Sequence, residues 1–65
     1  MMVYKVSMKA ARINANLTIA EAADKIGVGV STIKNWEAKK TFPNQPMIDK
    51  ICEVYSVPYD LLKFF

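Results

Sequence analysis

The two glycines of this chain stand two residues apart, Gly27 and Gly29 in the stretch "IGVGVSTIKNWE". No other feature constrains the fold as strongly, because glycine turns the backbone left-handed without steric cost. A helix must end at Gly27, and a new element must begin at Gly29. The residues ahead open with "TIAE", a capping box. Thr18 can cap the helix start, and the Glu21 carboxylate can accept from the Thr18 N–H. Ala22, Ala23 and Ile26 then share an apolar face, and Glu21 and Lys25 form a favourable i,i+4 pair on the outside. Gly27 ends this second helix cheaply. Gly29 is an acceptable N-cap for a third helix, expected from Val30 to about Lys39. Ile33 and Trp36 share its inner face, while Ser31, Lys34, Asn35 and Ala38 share another. Helix, glycine turn and helix is helix-turn-helix geometry, and the small Ala23 lets the two helices cross closely.

The rest of the chain also reads as short helices. Helix one is expected from Ser7, its N-cap, to about Ala15. Val6, Ala10, Ile13 and Leu17 fall at roughly helical spacing, and so do Met8, Ala11, Arg12 and Ala15, which leaves two rows open as its buried face. Helix four starts near Asn44 or Gln45, with Pro46 in its first turn, where a missing N–H costs nothing. Ile48, Ile51, Cys52 and Tyr55 form its apolar stripe; Asp49, Lys50 and Glu53 lie outside. A short fifth helix follows Pro58, with Leu61 and Leu62 inward. The apolar, β-leaning start "MMVYKV" reads as a short arm or frayed end over residues 1–6. No segment alternates long enough for a sheet. The expectation is an all-α fold, a compact bundle of five short helices forming one domain over residues 1–65.

Composition narrows the function. A chain of 65 residues buries only about 60% of its unfolded surface, too little for an enclosed active site plus a scaffold. An enzyme is not expected. With no histidine and one cysteine, the usual zinc sites are excluded, and no metal or cofactor is implied. Cys52 cannot form an internal disulfide; it suits a reducing, cytoplasmic setting and reads as a small core hydrophobe. No signal-peptide pattern is present, and no apolar run approaches the roughly 20 residues of a membrane span. Asp49 and Glu53 are an i,i+4 carboxylate pair without a pocket, hence a solvated face. The net charge of +3 favours an anionic partner.

The outer face of helix three sharpens that inference. A merely solvated helix would favour Glu, Lys, Gln and Arg, but here the weak helix formers Ser31, Thr32 and Asn35 cluster beside Lys34. Short polar side chains let a helix approach a surface closely and still exchange hydrogen bonds. The DNA major groove admits one α-helix and presents donors, acceptors and thymine methyls. The bland alternative is a helical hairpin whose polar face is only solvated.

The stretch "LTIAEAADKIGVGVSTIKNWE", Leu17 to Glu37, closely resembles the helix-turn-helix of the phage-repressor/Cro-like (Xre-type) DNA-binding family. Leu17-Thr18, Ala23, Gly27-Val28, Ser31, Thr32, Ile33 and Trp36-Glu37 carry the match. "MKAAR" looks like the family's first helix, Pro43 like its loop before helix four, and "VYSVPYDLL" like its C-terminal part, so the likeness runs from about Met8 to Leu62. It implies a lambda-repressor-like domain. The implied function is a sequence-specific double-stranded DNA-binding transcriptional regulator, of a small prophage or plasmid repressor type, acting on bacterial nucleoid DNA. The implied base-reading positions are Val30, Ser31, Lys34 and Asn35. Thr18, Gly29, Thr32, Lys39, Lys40 and Thr41 match backbone-contacting positions. Arg12 and Glu37 match a structural salt bridge.

Three positions depart from the family pattern. Ile19 stands where Gln is frequent, which removes a phosphate contact and leaves an apolar residue towards the surface. Gly29 replaces Ser or Thr, so only backbone contacts survive there. Ser56 replaces the usual helix-ending glycine and is expected in a mildly strained left-handed conformation. One short reading helix covers too few base pairs to single out a site, so a weak homodimer through the C-terminal helix (Leu61, Phe64, Phe65) is expected on DNA. The alternative function is a protein-interaction module, such as an antitoxin or adaptor, on the same fold.

Overall fold

Residues 5–63 are described by the computed structural model. In it, the Thr18 N–H donates to Glu21 Oε1 at 2.9 Å and the Glu21 N–H to Thr18 Oγ1 at 3.1 Å. That reciprocal box starts one of four α-helices. In chain order the elements are β1 (Val6–Ser7), α1 (Met8–Asn14), α2 (Ile19–Ile26), α3 (Val30–Glu37), α4 (Gln45–Tyr55), a 3₁₀ turn (Tyr59–Leu61) and β2 (Leu62–Lys63). Ser7 caps α1, accepting from the Ala10 N–H at 3.1 Å. Asn44 caps α4, accepting from the Met47 N–H at 3.1 Å. Each satisfies a first-turn amide that its own helix leaves without a partner.

All four helices end on backbone geometry that a glycine would favour, but only one has a glycine there. Gly27 sits at φ 87°, and a Cβ on it would lie 3.6 Å from Lys50 Nζ. That ammonium, reaching over from α4, also suits the negative end of the α2 dipole. Asn16, Lys39 and Ser56 close α1, α3 and α4 at φ 60°, 63° and 53°. At α3 the Lys40 N–H reaches the Asn35 carbonyl at 2.9 Å and the Lys39 N–H the Trp36 carbonyl at 3.1 Å. This is the paired bonding of a Schellman end.

The core gathers around Ile26, Ile33 and Ile51, all essentially sealed from solvent, with Met8, Ala11, Ala22, Ala23, Trp36, Tyr55 and Leu62 about them. Burying each such isoleucine stabilises the fold by about 1.5–3 kcal/mol. Ala22 and Ala23 present almost no bulk, so α2 lies close on α3 and α4.

Several expectations need correction. The fifth helix is only a single 3₁₀ turn, because Pro58 precedes it and β2 begins immediately after it. A sheet exists after all. β1 and β2 pair in parallel, Val6 with Leu62 and Ser7 with Lys63. Two residues per strand are too few to show an alternating pattern, so no sequence period announces them. The suggested arm over residues 1–6 therefore includes paired backbone at Val6; residues 1–4 lie outside the described residues. So do Phe64 and Phe65, while Leu61 is half-buried.

Helix one buries Met8, Ala11 and Arg12 and leaves Ile13 more than half exposed, which settles its open choice of face. Glu21 turns back to its cap, and no close ion pair to Lys25 forms; Lys25 acts on it only through its charge. Ile19 is half-buried rather than exposed, because it stands three and four residues before Ala22 and Ala23 and shares their stripe. Helix three stops at Glu37, so Lys39 lies past its end. Cys52 is half-buried against the core, and burial pushes its thiol up from the ordinary range.

Candidate nucleic-acid interface

Helix α3 is held by its inner face and offers its outer face. Ile33 and Trp36 are buried. Around the other side Val30, Ser31 and Lys34 are exposed and Asn35 is half-buried. Positions 30 and 34, and 31, 34 and 35, stand at helical spacing, so these four side chains share one surface. Among the described residues, no hydrogen bond or ion pair engages the side chains of Ser31, Thr32, Lys34 or Asn35. Thr32 is half-buried, with its Oγ1 turned towards Gly29.

The helix starts add backbone donors. Gly29 is the α3 N-cap in an extended conformation, φ −77° and ψ 157°, with no side-chain cap. The Thr32 and Ile33 amides return to the Gly29 carbonyl, leaving those of Val30 and Ser31 without an intrachain acceptor. At α2, the Thr18 N–H donates and its hydroxyl oxygen accepts within the capping box, which leaves the hydroxyl hydrogen to donate outward. The amides of Ile19 and Ala20 are further donors there, which the sequence reading did not name. Counting the first-turn amides against the cap's bonds would have found them. Lys40 and Thr41 are exposed in the turn after α3, where both amides point at the Asn35 carbonyl.

Beneath this surface lies one ion pair. Arg12 Nε donates to Glu37 Oε2 at 2.7 Å and Nη2 to Glu37 Oε1 at 3.3 Å, a bidentate contact. Nη1 donates to the Leu17 carbonyl at 2.9 Å. Both charged side chains are about 10% exposed. The pair ties the end of α3 to α1 and to the turn leading into α2, so it fixes how α3 stands on the body. The Glu37 hydrogen bond, against the opposing effect of burial, holds the Arg12 guanidinium above its ordinary pKa.

Tyr55 lies near this pair with its hydroxyl buried and without a hydrogen-bond partner. Burial, then the Glu37 charge, pushes its pKa up to about 12 against a small opposing effect of Arg12. Below pH 10 both folded and unfolded chains keep the phenol neutral. Above it the unfolded chain ionises first, so stability falls as pH rises from 10 through 12. Tyr55→Phe is expected to remove that part of the alkaline loss without destabilising the protein at pH 7, since it deletes an unsatisfied buried group. Parallel urea titrations at pH 7 and pH 11 on both proteins check this. An equal alkaline loss in both would refute the assignment.

None of the described helices is long and apolar enough to cross a membrane. No curated protein and no solved structure matches the chain. A family model described as helix-turn-helix matches residues 8–62. That span contains every helix, the ion pair and the outer face of α3, and the chain belongs to the Xre/Cro-like helix-turn-helix family, a DNA-binding, non-enzymatic family of transcription regulators.

Proposed function

We propose that this protein is a sequence-specific regulator, a repressor of the small prophage or plasmid type, that lays α3 in the major groove of operator DNA. The observation that carries the reading is the row Val30, Ser31, Lys34 and Asn35, exposed or half-buried and with side chains free of hydrogen-bond and ion-pair partners among the described residues, opposite a buried Ile33 and Trp36. Asn35 suits a bidentate contact to adenine, Lys34 a donor contact to guanine, and Val30 a thymine methyl. The free amides at the starts of α2 and α3, with Thr32, Lys39, Lys40 and Thr41, suit backbone phosphates, which fix register. Thr18 offers its hydroxyl hydrogen to the same phosphates and also holds the α2 start in place.

One helix reads few base pairs, so the protein acts as a two-fold pair on inverted half-sites. The pairing uses the C-terminal segment around Leu61, Phe64 and Phe65. Selection from a random duplex library tests both parts. The expected winner is an inverted repeat with half-sites roughly 34 Å apart. Sedimentation is expected to show monomers in dilute solution and two copies on the selected duplex. No enrichment of any sequence would overturn base reading. A single undivided motif bound by one copy would overturn the pairing.

A further inference from the structure

A cleft of about 180 Å³ opens past the end of α3, and three lysines from three separate elements line it: Lys9 of α1, Lys39 of the turn, and Lys63 of β2. Ser7, Glu37 and the apolar Met8 and Trp36 complete the lining. Glu37 is the only acidic residue on this lining, and it is already engaged by Arg12. None of the three lysines has an ion pair among the described residues. Like charges gathered on one concavity repel unless an anion enters.

The backbone at two of the three positions is committed in advance. Lys63 is set beside Ser7 by the β1–β2 ladder. Lys39 occupies a left-handed residue at φ 63°, where glycine would be less strained. The volume falls below the roughly 300–1,000 Å³ of a small-molecule pocket. That room, with three lysines on its rim, accommodates a group the size of a single phosphate.

We infer that this cleft is a phosphate seat, and that it takes one backbone phosphodiester of the bound duplex beside the reach of α3. The inference rests on the DNA-binding reading above, and it adds Lys9 and Lys63 to the contact surface. A free phosphate ion carries the same chemistry, so the test separates the two sources.

The experiment compares wild type, Lys9→Gln/Lys63→Gln and Lys25→Gln, a lysine of α2 that lines a different groove. Circular dichroism and melting first establish that each is folded. Binding to a fixed duplex is then measured across salt concentrations. Each phosphate neutralised contributes about 0.9 to the log–log slope. The double variant is expected to lose about that much slope, with its preference for selected over scrambled duplex unchanged and Lys25→Gln at the wild-type slope. An unchanged slope in the double variant, or an equal fall in Lys25→Gln, would overturn the duplex contact.

In a second arm, wild type without DNA is titrated with inorganic phosphate and followed by amide NMR. Saturable shifts confined to Ser7, Lys9, Lys39 and Lys63 and reversed by duplex are expected. Saturation with no change in slope would assign the seat to free phosphate and overturn the duplex contact. Should wild type bind no duplex at all, the DNA-binding reading fails alone. The phosphate titration then decides the cleft, and an absence of shifts there overturns it.

Discussion

Arg12→Ala is expected to cost about 3 kcal/mol and to lower the melting temperature by roughly 12–24 °C. The magnitude follows from what the truncation leaves behind. Glu37 would keep its charge at a site about 10% exposed, and removing one partner of a buried pair costs about 3–5 kcal/mol. The remaining solvent access puts this pair at the low end. Leu17 would lose the donor to its carbonyl as well. A domain of this length has roughly 3–10 kcal/mol in total, so the variant would sit near the edge of folding.

Arg12→Met with Glu37→Leu removes both charges and should recover most of the loss. A residue of about 1 kcal/mol should persist, because the Leu17 carbonyl remains unanswered. Thermal melts of the two variants beside wild type make the comparison. A wild-type melting temperature in Arg12→Ala would mean that the pair contributes nothing. A double variant as unstable as the single one would mean that packing of the arginine stem, not charge, carries the effect.

Asn35→Ala and Lys34→Ala are each expected to weaken binding to the selected duplex by about 1–3 kcal/mol, roughly 5- to 150-fold. Binding to scrambled duplex should change far less, Lys34→Ala losing only its share of the charge attraction. The fold should not suffer. Neither side chain has a hydrogen-bond or ion-pair partner among the described residues, and alanine is the better helix former. The Asn35 carbonyl, which holds the turn after α3, survives in Asn35→Ala. Affinities for both duplexes, with melts as controls, decide it. Wild-type affinity for the selected duplex in both variants would mean that α3 does not read the bases.

The sequence made the helical starts and stops plain where a side chain itself does the work. The Thr18–Glu21 box, the Ser7 and Asn44 caps and the left-handed Gly27 each follow from one residue type meeting one backbone need. Burial of Ile33 and Trp36 followed from their shared face. What stayed hidden depends on distant parts of the chain meeting. The β1–β2 ladder joins residues 56 positions apart, Val6 and Leu62, with too little length to leave a period. The same closure brings Lys63 to the cleft of Lys9 and Lys39, a grouping no spacing in the sequence reveals. Ile13 was misleading for the opposite reason: an apolar residue at helical spacing fell on the row that the arginine did not occupy. Arg12 went inward because Glu37 and the Leu17 carbonyl could satisfy it there.

Lys39 sets two demands against each other at a single residue. Replacing it with glycine would relieve a left-handed conformation that costs a side-chain-bearing residue about 1 kcal/mol, less what glycine's own freedom takes back. The same change would strip a positive charge from the edge of the surface proposed to face DNA. A library of variants sorted for heat resistance should therefore drift towards glycine at this position, and one sorted for duplex retention should hold the lysine. A helix end can thus record which of the two a lineage has been selected for.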